Sequence, residues 1–597
     1  KGMLGHPQDR LSVVVAAPQL AQIGFGLQGD LHSRIELSGL IERPDVVFEL
    51  SSDRFNFNHE HQLAQLKAKG SLQGPAIQLD LQTGAYQQKS ETLLQRLAVG
   101  LTGTQSRHQL SVNSQINPTT EAQFRANGGL ILHAGDQQHF QWEGVIDKLA
   151  LTGALPIDLL TQPSVRISPE AVTLGQTRIK VAAGEINLHD AHWTPKQWST
   201  QGDFSGIAVQ AEGLQQKNAE PLQLGGNWQF AANRQLTGHL LVQREKGDFI
   251  LPAETPLALG LQTLMVNLQA ENNDLNGQLT VRGEHIGDTT AQVTVPLQAS
   301  DGAWEIRKNA PLRGNLQLNL PDLAWIGSAV GDNLHSEGRL AAHAQLAGTL
   351  EQPELQGKIT GDALAVALLD EGFELKEGTL AVDFDQDKVL LKTFDFSAPL
   401  EKPSKDKLLK GLKLAQKTGY LRARGDVDIH SQHSNLTIEL DHLPLTQQED
   451  RWVVVSGNSL IGFKDEILDI TGKIMTDVGF IKQPKGGMPG LADDVVVADK
   501  TDTEPEAQKA QKINLDMTLD LGERFFLRAS GLEGRLAGQL HLRSEPDQLL
   551  RAVGTIATRD TRFEAYGQRL QVRRGIVNFD GPLDNPGLNI LAVRTNQ

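Results

Sequence analysis

Residues 569–594 read RLQVRRGIVNFDGPLDNPGLNILAVR, and the way this stretch alternates and turns decides the fold. Leu570 and Val572, then Ile576 and Phe579 after Gly575, make two β-runs. A Gly581-Pro582…Asp584-Asn585-Pro586 turn joins them to a third, Leu588, Ile590 and Ala592. A two-residue period places one face of a strand in an apolar environment, while glycine and proline fix where the chain reverses.

The same grammar extends upstream. Ile513, Leu515, Met517, Leu519 and Leu521 alternate with Asn514, Asp516, Thr518 and Asp520, so one face is wholly aliphatic and the other wholly polar. Leu436, Ile438 and Leu440, with Thr437 and Glu439 between them, do likewise, as do Leu316, Leu318 and Leu320. Shorter runs fill the first 153 residues, among them Val13–Val15, Ile35 and Leu37, Val46 and Phe48, Ile77 to Leu81, and Leu110 with Val112. They continue at Ile179–Val181, Leu222–Phe230, Leu236–Val242 and Leu264 to Leu268. Turn signals recur about every ten residues, the spacing of an all-β array.

Few segments read as helix. His59 to Lys69 places Leu63 and Leu66 on one side, and Leu323 to Val330 follows Pro321-Asp322, an acidic start that suits a helix N-terminus. Lys402 to Lys417 (KPSKDKLLKGLKLAQK) sets Leu408, Leu409, Leu412 and Ala415 at helical spacing. It predicts a basic amphipathic helix, either packed on the sheet rim or forming a lip against anionic headgroups. Gln483 to Gln511, rich in Pro, Gly and charge, predicts a flexible loop. The chain thus divides at 1–331, 332–482, 483–511 and 512–597.

An internal similarity links Gly338-Arg339-Leu340-Ala341…Phe384-Asp385 with Gly534-Arg535-Leu536-Ala537…Phe579-Asp580. The nearly equal spacing points to a repeating unit of several strands, with a looser echo from Leu31 through Gly39, Pro44 and Gly70.

Composition narrows the function. Aromatics are only 5% of 597 residues, so burial rests on aliphatic side chains. The formal charge of −16 disfavours nucleic acid and any general electrostatic hold on anionic lipid, leaving apolar contact as the expected mode. No cysteine is present, which excludes disulfides and thiolate metal sites. No run of about 18 apolar residues occurs.

Gly24 to Gly29 matches G-x-G-x-x-G but precedes a strand-like segment where a phosphate site needs a helix. Asp383, Asp385 and Asp387 have calcium-loop spacing, but Lys388 stands where glycine is needed, so a hairpin turn is expected. His59/His61 and His189/His192 lack further converging ligands. The residues call for no cofactor, metal or catalytic group.

The V-R-R-G…F-x-G-P-x-D-N-P-x-L wording, carried by Gly575, Phe579, Gly581, Pro582, Asp584, Asn585, Pro586 and Leu588, resembles the C-terminal signature of the TamB family of AsmA-like envelope proteins. Phe525 to Leu542 is similar to that family's approach to the signature. The resemblance implies an all-β fold: an elongated repetitive sheet curled into a U-shaped groove, the β-taco. It also implies a periplasmic location, an anchor in the inner membrane, reach to the outer membrane, and chain beyond both ends of this sequence. The implied partners are phospholipids and a TamA-like outer-membrane barrel of the Omp85 family. On this reading Leu316, Leu318, Leu320, Leu436, Ile438, Leu440, Ile513, Leu515, Met517, Leu519 and Leu521 line the groove. The alternative role is a scaffold for outer-membrane barrel or autotransporter assembly, and a filled sandwich is the plain structural alternative.

Overall fold

The computed structural model describes residues 2–594 except 24–25, 59, 90, 134–135, 210–219, 252–256, 301–302, 332, 401–405, 411, 415, 430–432, 465–466, 484–511, 547 and 566–567. The fold is all-β and repetitive. Two compact units form, one from Lys1–Asp248, Thr263–Leu279 and Thr294–Arg307, the other from Phe249–Gln262, Thr280–Val293 and Lys308–Gln597.

In the first unit the strand Arg10–Ala17 pairs with Leu31–Leu40, and an antiparallel meander continues through Arg43–Phe57, His61–Gln73, Ala76–Thr83, Arg96–Thr104, Arg107–Asn117, Thr120–His133 and Asp136–Leu151. Period two keeps apolar residues in register across it. Val13, Ile35, Phe48, Gly70, Leu79, Leu101, Leu110, Ala126 and Ile146 are successive cross-strand partners. Phe48 lies over Gly70, where a Cβ would come within 2.4 Å of its ring. The glycine makes room for one of the few aromatic rings.

The expected helix at His59–Lys69 is instead part of the strand His61–Gln73. Gln65 adopts φ 51°, a left-handed kink between the pairs Ala64–Arg54 and Leu66–Ser52. The kink lets Leu63 and Leu66, three positions apart, sit in one strand at a spacing that imitates a helix.

The second unit runs from β1 (Arg313–Leu320) through α1 (Ala324–Val330) to β2 (Leu334–Gly348), β3 (Pro353–Leu368), β4 (Phe373–Asp385), β5 (Lys388–Pro399), β6 (Thr418–Asp428), β7 (His433–Gln447), β8 (Arg451–Lys464) and β9 (Ile467–Lys482). Each strand is antiparallel to the next. β10 (Lys512–Asp520) and β11 (Phe525–Ala529) then run parallel to β9 and antiparallel to β12 (Leu532–Ser544). A parallel return needs a crossover of a dozen residues or more. The long segment expected to be a loop stands where that crossover must be, though residues 484–511 lie outside the described ones. β13 (Arg551–Ala565), β14 (Gln568–Pro582) and β15 (Gly587–Arg594) complete the meander.

Helix α1 forms where the sequence placed it, and the Asp322 carboxylate accepts from Ala324 N at 2.9 Å. The basic helix expected at Lys402–Lys417 does not form among the described residues of that segment. Among its described residues only Lys407–Leu409 makes a 3-10 turn, started by Asp406, which accepts from Leu408 N at 3.0 Å. Its leucines are not a lip. Leu409 is buried with Trp452, Val454, Val478 and Phe480, flanked by Leu408, Leu412 and Leu414. That aromatic patch competes for the leucines, and covering it removes more apolar surface from water than a free amphipathic turn could.

The strands of this unit are creased near mid-length. Register shifts fall at Glu337/Arg339, Lys376/Thr379, Leu440/Leu443 and Glu533/Arg535, beside the left-handed residues Ala363, Glu377, His442 and Asp560. Bulges aligned across neighbouring strands bend the sheet along one line. Leu364, Phe396, Ala398, Leu443 and Val455 are buried along the inside of this crease, together with Leu323 at the head of α1.

Candidate functional site

The site is a face. Leu318 of β1 pairs with Ala342, which continues through Ile359, Val382, Leu391, Gly425, Leu436, Ile461 and Ile470 to Leu515 of β10. Three strands read separately in the sequence are thereby joined on one ladder. A second ladder runs from Leu316 through Phe384, Val427 and Phe463 to Ile513, and a third from Leu320 through Phe394, Ile438 and Met517 to Ala552. The fourth links Phe396, Leu421, Leu440, Gly457, Ile474, Leu519, Leu540, Gly554 and Phe579.

No charged residue stands on any of the four. Cross-strand partners share a face, so the ladders form a continuous, uncharged and largely aliphatic surface that is four rungs wide from β5 to β10, about 20 Å at roughly 3.4 Å per residue. Leu521 lies just past the end of β10 and is buried. Towards the strand ends the surface opens: Leu316 and Ile513 are each 36% exposed and Phe463 37%. A filled sandwich would bury these positions.

The opposite face is polar. Arg424 clasps Asp395 through both nitrogens at 2.6 and 2.7 Å, and this hydrogen bonding holds the guanidinium above its ordinary pKa. Lys392 pairs with Asp383, Arg422 with Glu439 at 3.5 Å and Arg543 with Asp516 at 3.5 Å. Towards one end, on this same face, Leu408, Leu409, Leu412 and Leu414 cover the Trp452 patch, and Asp406 is tied to Arg528 of β11. The aliphatic surface and the charged surface are thus two sides of one sheet.

The other candidates resolve into ordinary structure. Asp383 and Asp385 lie at the end of β4, and Asp387 is in the β4–β5 hairpin turn beside Gln386, φ 56°. His189 is bonded to Asp203, whose pKa is lowered first by the Asn187 side chain at 2.9 Å and then by His189.

The signature residues shape the last hairpin. Gly575 is buried where a Cβ would strike Thr558, and Phe579 faces Gly554 on the fourth ladder. Ile576 falls on the opposite face from Phe579, because they are three positions apart, an odd step in an unbulged strand. Asn585 N donates to Pro582 O at 3.3 Å in the turn, and Leu588 beyond it is 67% exposed.

Sequence reading found the strands with unbroken alternation and missed inner residues such as Leu380, Leu443 and Val455, whose strands change phase at a bulge. A pair of apolar residues three apart inside a β-rich text is the signal that could have found them.

Comparison with known proteins agrees with this architecture. The TamB N-terminal domain model matches residues 1–168 and 169–360, and the TamB C-terminal domain model matches 410–597. The translocation and assembly module subunit TamB of Haemophilus influenzae is 22% identical over 635 residues, covering 99% of this chain and 45% of that protein. The chain therefore spans less than half the length of that relative. No described helix is long and apolar enough to cross a membrane. With the family models accounting for most of its length, the chain belongs to the TamB family.

Proposed function

We propose that this chain carries phospholipid acyl chains along its inner face, as the periplasmic part of an envelope protein connecting two membranes. The observation that supports the reading is the set of uncharged ladders on one face, together reaching from β1 to β14 and four abreast from β5 to β10, open towards the strand ends. Each methylene moved from water onto aliphatic lining gains about 0.8 kcal/mol. An acyl chain therefore stays on the surface, yet it can slide, because one aliphatic rung resembles the next. Leu316, Leu318, Leu320, Leu436, Ile438, Leu440, Ile513, Leu515, Met517, Leu519 and Leu521 solvate the lipid and do no chemistry.

The test is native mass spectrometry with lipid extraction on protein purified without detergent. Several phospholipids per chain are expected, and Leu519→Arg, which places a charge on the fourth ladder of that face, should lose them while remaining folded. Lipid-free wild-type protein would sink the reading.

A second reading, a scaffold for barrel assembly with a TamA-like Omp85 partner, draws on the name of the relative and on β15. Among the described residues that strand is paired on one edge only, with Leu588 and Ile590 exposed. Such an edge can accept another strand.

A further inference from the structure

From Arg524 onward the chain is rich in arginine although the protein as a whole is acidic. Residues 524–597 hold eleven arginines, no lysine and seven acidic residues, within a protein of formal charge −16. Six of these arginines, Arg535, Arg559, Arg562, Arg569, Arg573 and Arg574, are on β12, β13 and β14 beside the crease.

Their placement is unfavourable for folding alone. Arg535 and Arg559 are direct cross-strand partners, an arrangement in which like charges repel. The β13–β14 ladder is interrupted between Ala557–Ile576 and Arg562–Gln571, so Arg559 stands opposite the Arg573–Arg574 bulge. Asp560 pairs with Arg535, and Glu564 with Arg569 at 3.6 Å. Arg559, Arg562, Arg573 and Arg574 form no ion pair among the described residues, and Arg559, Arg562 and Arg574 are exposed.

The earlier repeat supplies the control. Its register matches strand for strand: Arg339–Asp362 corresponds to Arg535–Arg559, Ala367–Glu374 to Glu564–Arg569, and Gly357–Phe384 to Gly554–Phe579. At the places of Arg559, Arg562, Arg569, Arg573 and Arg574 it has Asp362, Ala365, Glu374, Gly378 and Thr379. The fold therefore does not require the arginines.

We infer that this arginine surface docks the C-terminal repeat onto the phosphate-bearing surface of an anionic phospholipid bilayer. Guanidinium groups bind phosphate oxygens bidentately. The charges spread over three strands instead of converging on one pocket, which suits a charged plane better than a single free phosphate. Leu591, 45% exposed and paired with Arg574, adds the apolar contact an interface favours. The low overall charge affinity for lipid expected from composition is thereby reversed locally.

The test is co-flotation with vesicles of phosphatidylcholine alone or with about one third phosphatidylglycerol, across a salt series. Wild-type protein should float only with the anionic vesicles and release as salt rises. Arg559→Asp with Arg574→Thr, which installs the residues of the earlier repeat, should weaken flotation at least about tenfold, since each surface arginine contributes several-fold. Circular dichroism and thermal unfolding verify that it is folded.

Equal binding to neutral vesicles, no binding to either, or full anionic binding by the folded double variant would each overturn the inference. The face reading stands apart: the double variant should keep its co-purified lipid, and Leu519→Arg should keep vesicle binding. Loss of vesicle binding in folded Leu519→Arg would show that attachment runs through the aliphatic face and not the arginines.

Discussion

Two copies of one strand unit, Arg313–Asp385 and Lys512–Pro582, share a backbone and differ in what they do with it. In both, a Gly-Arg-Leu-Ala sequence sits at a bulge, opposite a left-handed residue (Ala363 at φ 50°, Asp560 at φ 49°), and a phenylalanine faces a glycine across the strands. Ahead of that bulge they part. Pro321-Asp322 ends β1 and the chain becomes α1, whereas Gly522, φ 63°, turns the chain so that it crosses the crease and resumes as β11. Downstream, acidic and neutral residues of the first copy are arginines in the second. The comparison teaches that glycine and bulge positions set the crease. Charge is free to vary upon it.

The largest expected effect breaks the shared backbone. At Gly338, φ 114°, a Cβ would lie 2.7 Å from Leu364 Cα; at Gly534 it would meet the Thr561 backbone just as closely, 2.7 Å from its Cα, but without a left-handed φ. Gly338→Val should destabilise by about 3 kcal/mol, more than Gly534→Val, because φ strain adds to a backbone clash. Denaturant unfolding of the two variants compares them, and equal costs would show that the two bulges are not built alike in energy.

A middle-sized effect sharpens the helix-for-strand difference. Ser336 Oγ accepts from Gly327 N at 2.8 Å and donates to Leu323 O at 2.6 Å, clamping α1 onto β2. The corresponding position in the second copy is Leu532, which pairs with Ala529 as strand. Ser336→Ala should cost about 1–3 kcal/mol by leaving those groups unmet. Hydrogen exchange should quicken in α1 and stay unchanged in β11.

The smallest effect is electrostatic. Hydrogen bonding and then charge from Arg339 hold the Asp362 carboxyl below its usual 3.8. A lowered folded-state pKa means the contribution is present above the unfolded value and lost as pH falls through the folded one. Arg339→Ala should return the Asp362 titration, followed by NMR, towards 3.8, with little change in stability at neutral pH because the pair is exposed.

Much of the fold was legible because strands such as Ile513–Leu521 keep strict alternation and end at turn residues. Bulges hid the rest. A left-handed residue at Gln65 made Leu63 and Leu66 look helical, and one at His442 put both Leu440 and Leu443 on the inner face. Lys402–Lys417 misled for another reason: its leucines answer to Trp452 and Phe480, distant in sequence and adjacent only once β8 and β9 pair. The three lining strands could be named from periodicity, but that Leu318, Leu436 and Leu515 share one ladder depends on the register of every strand between them. The arginine surface was visible only as composition until the two repeats could be matched partner by partner.

The central claim is that acyl chains run along the aliphatic face of β1–β10 and not along its polar face. A photo-crosslinking residue placed at Leu436 and, separately, at its neighbour Thr437 tests it directly, since adjacent strand positions point to opposite faces. After irradiation in cells, phospholipid adducts are predicted at position 436 and none at position 437. Adducts at neither position, or equally at both, would contradict the account.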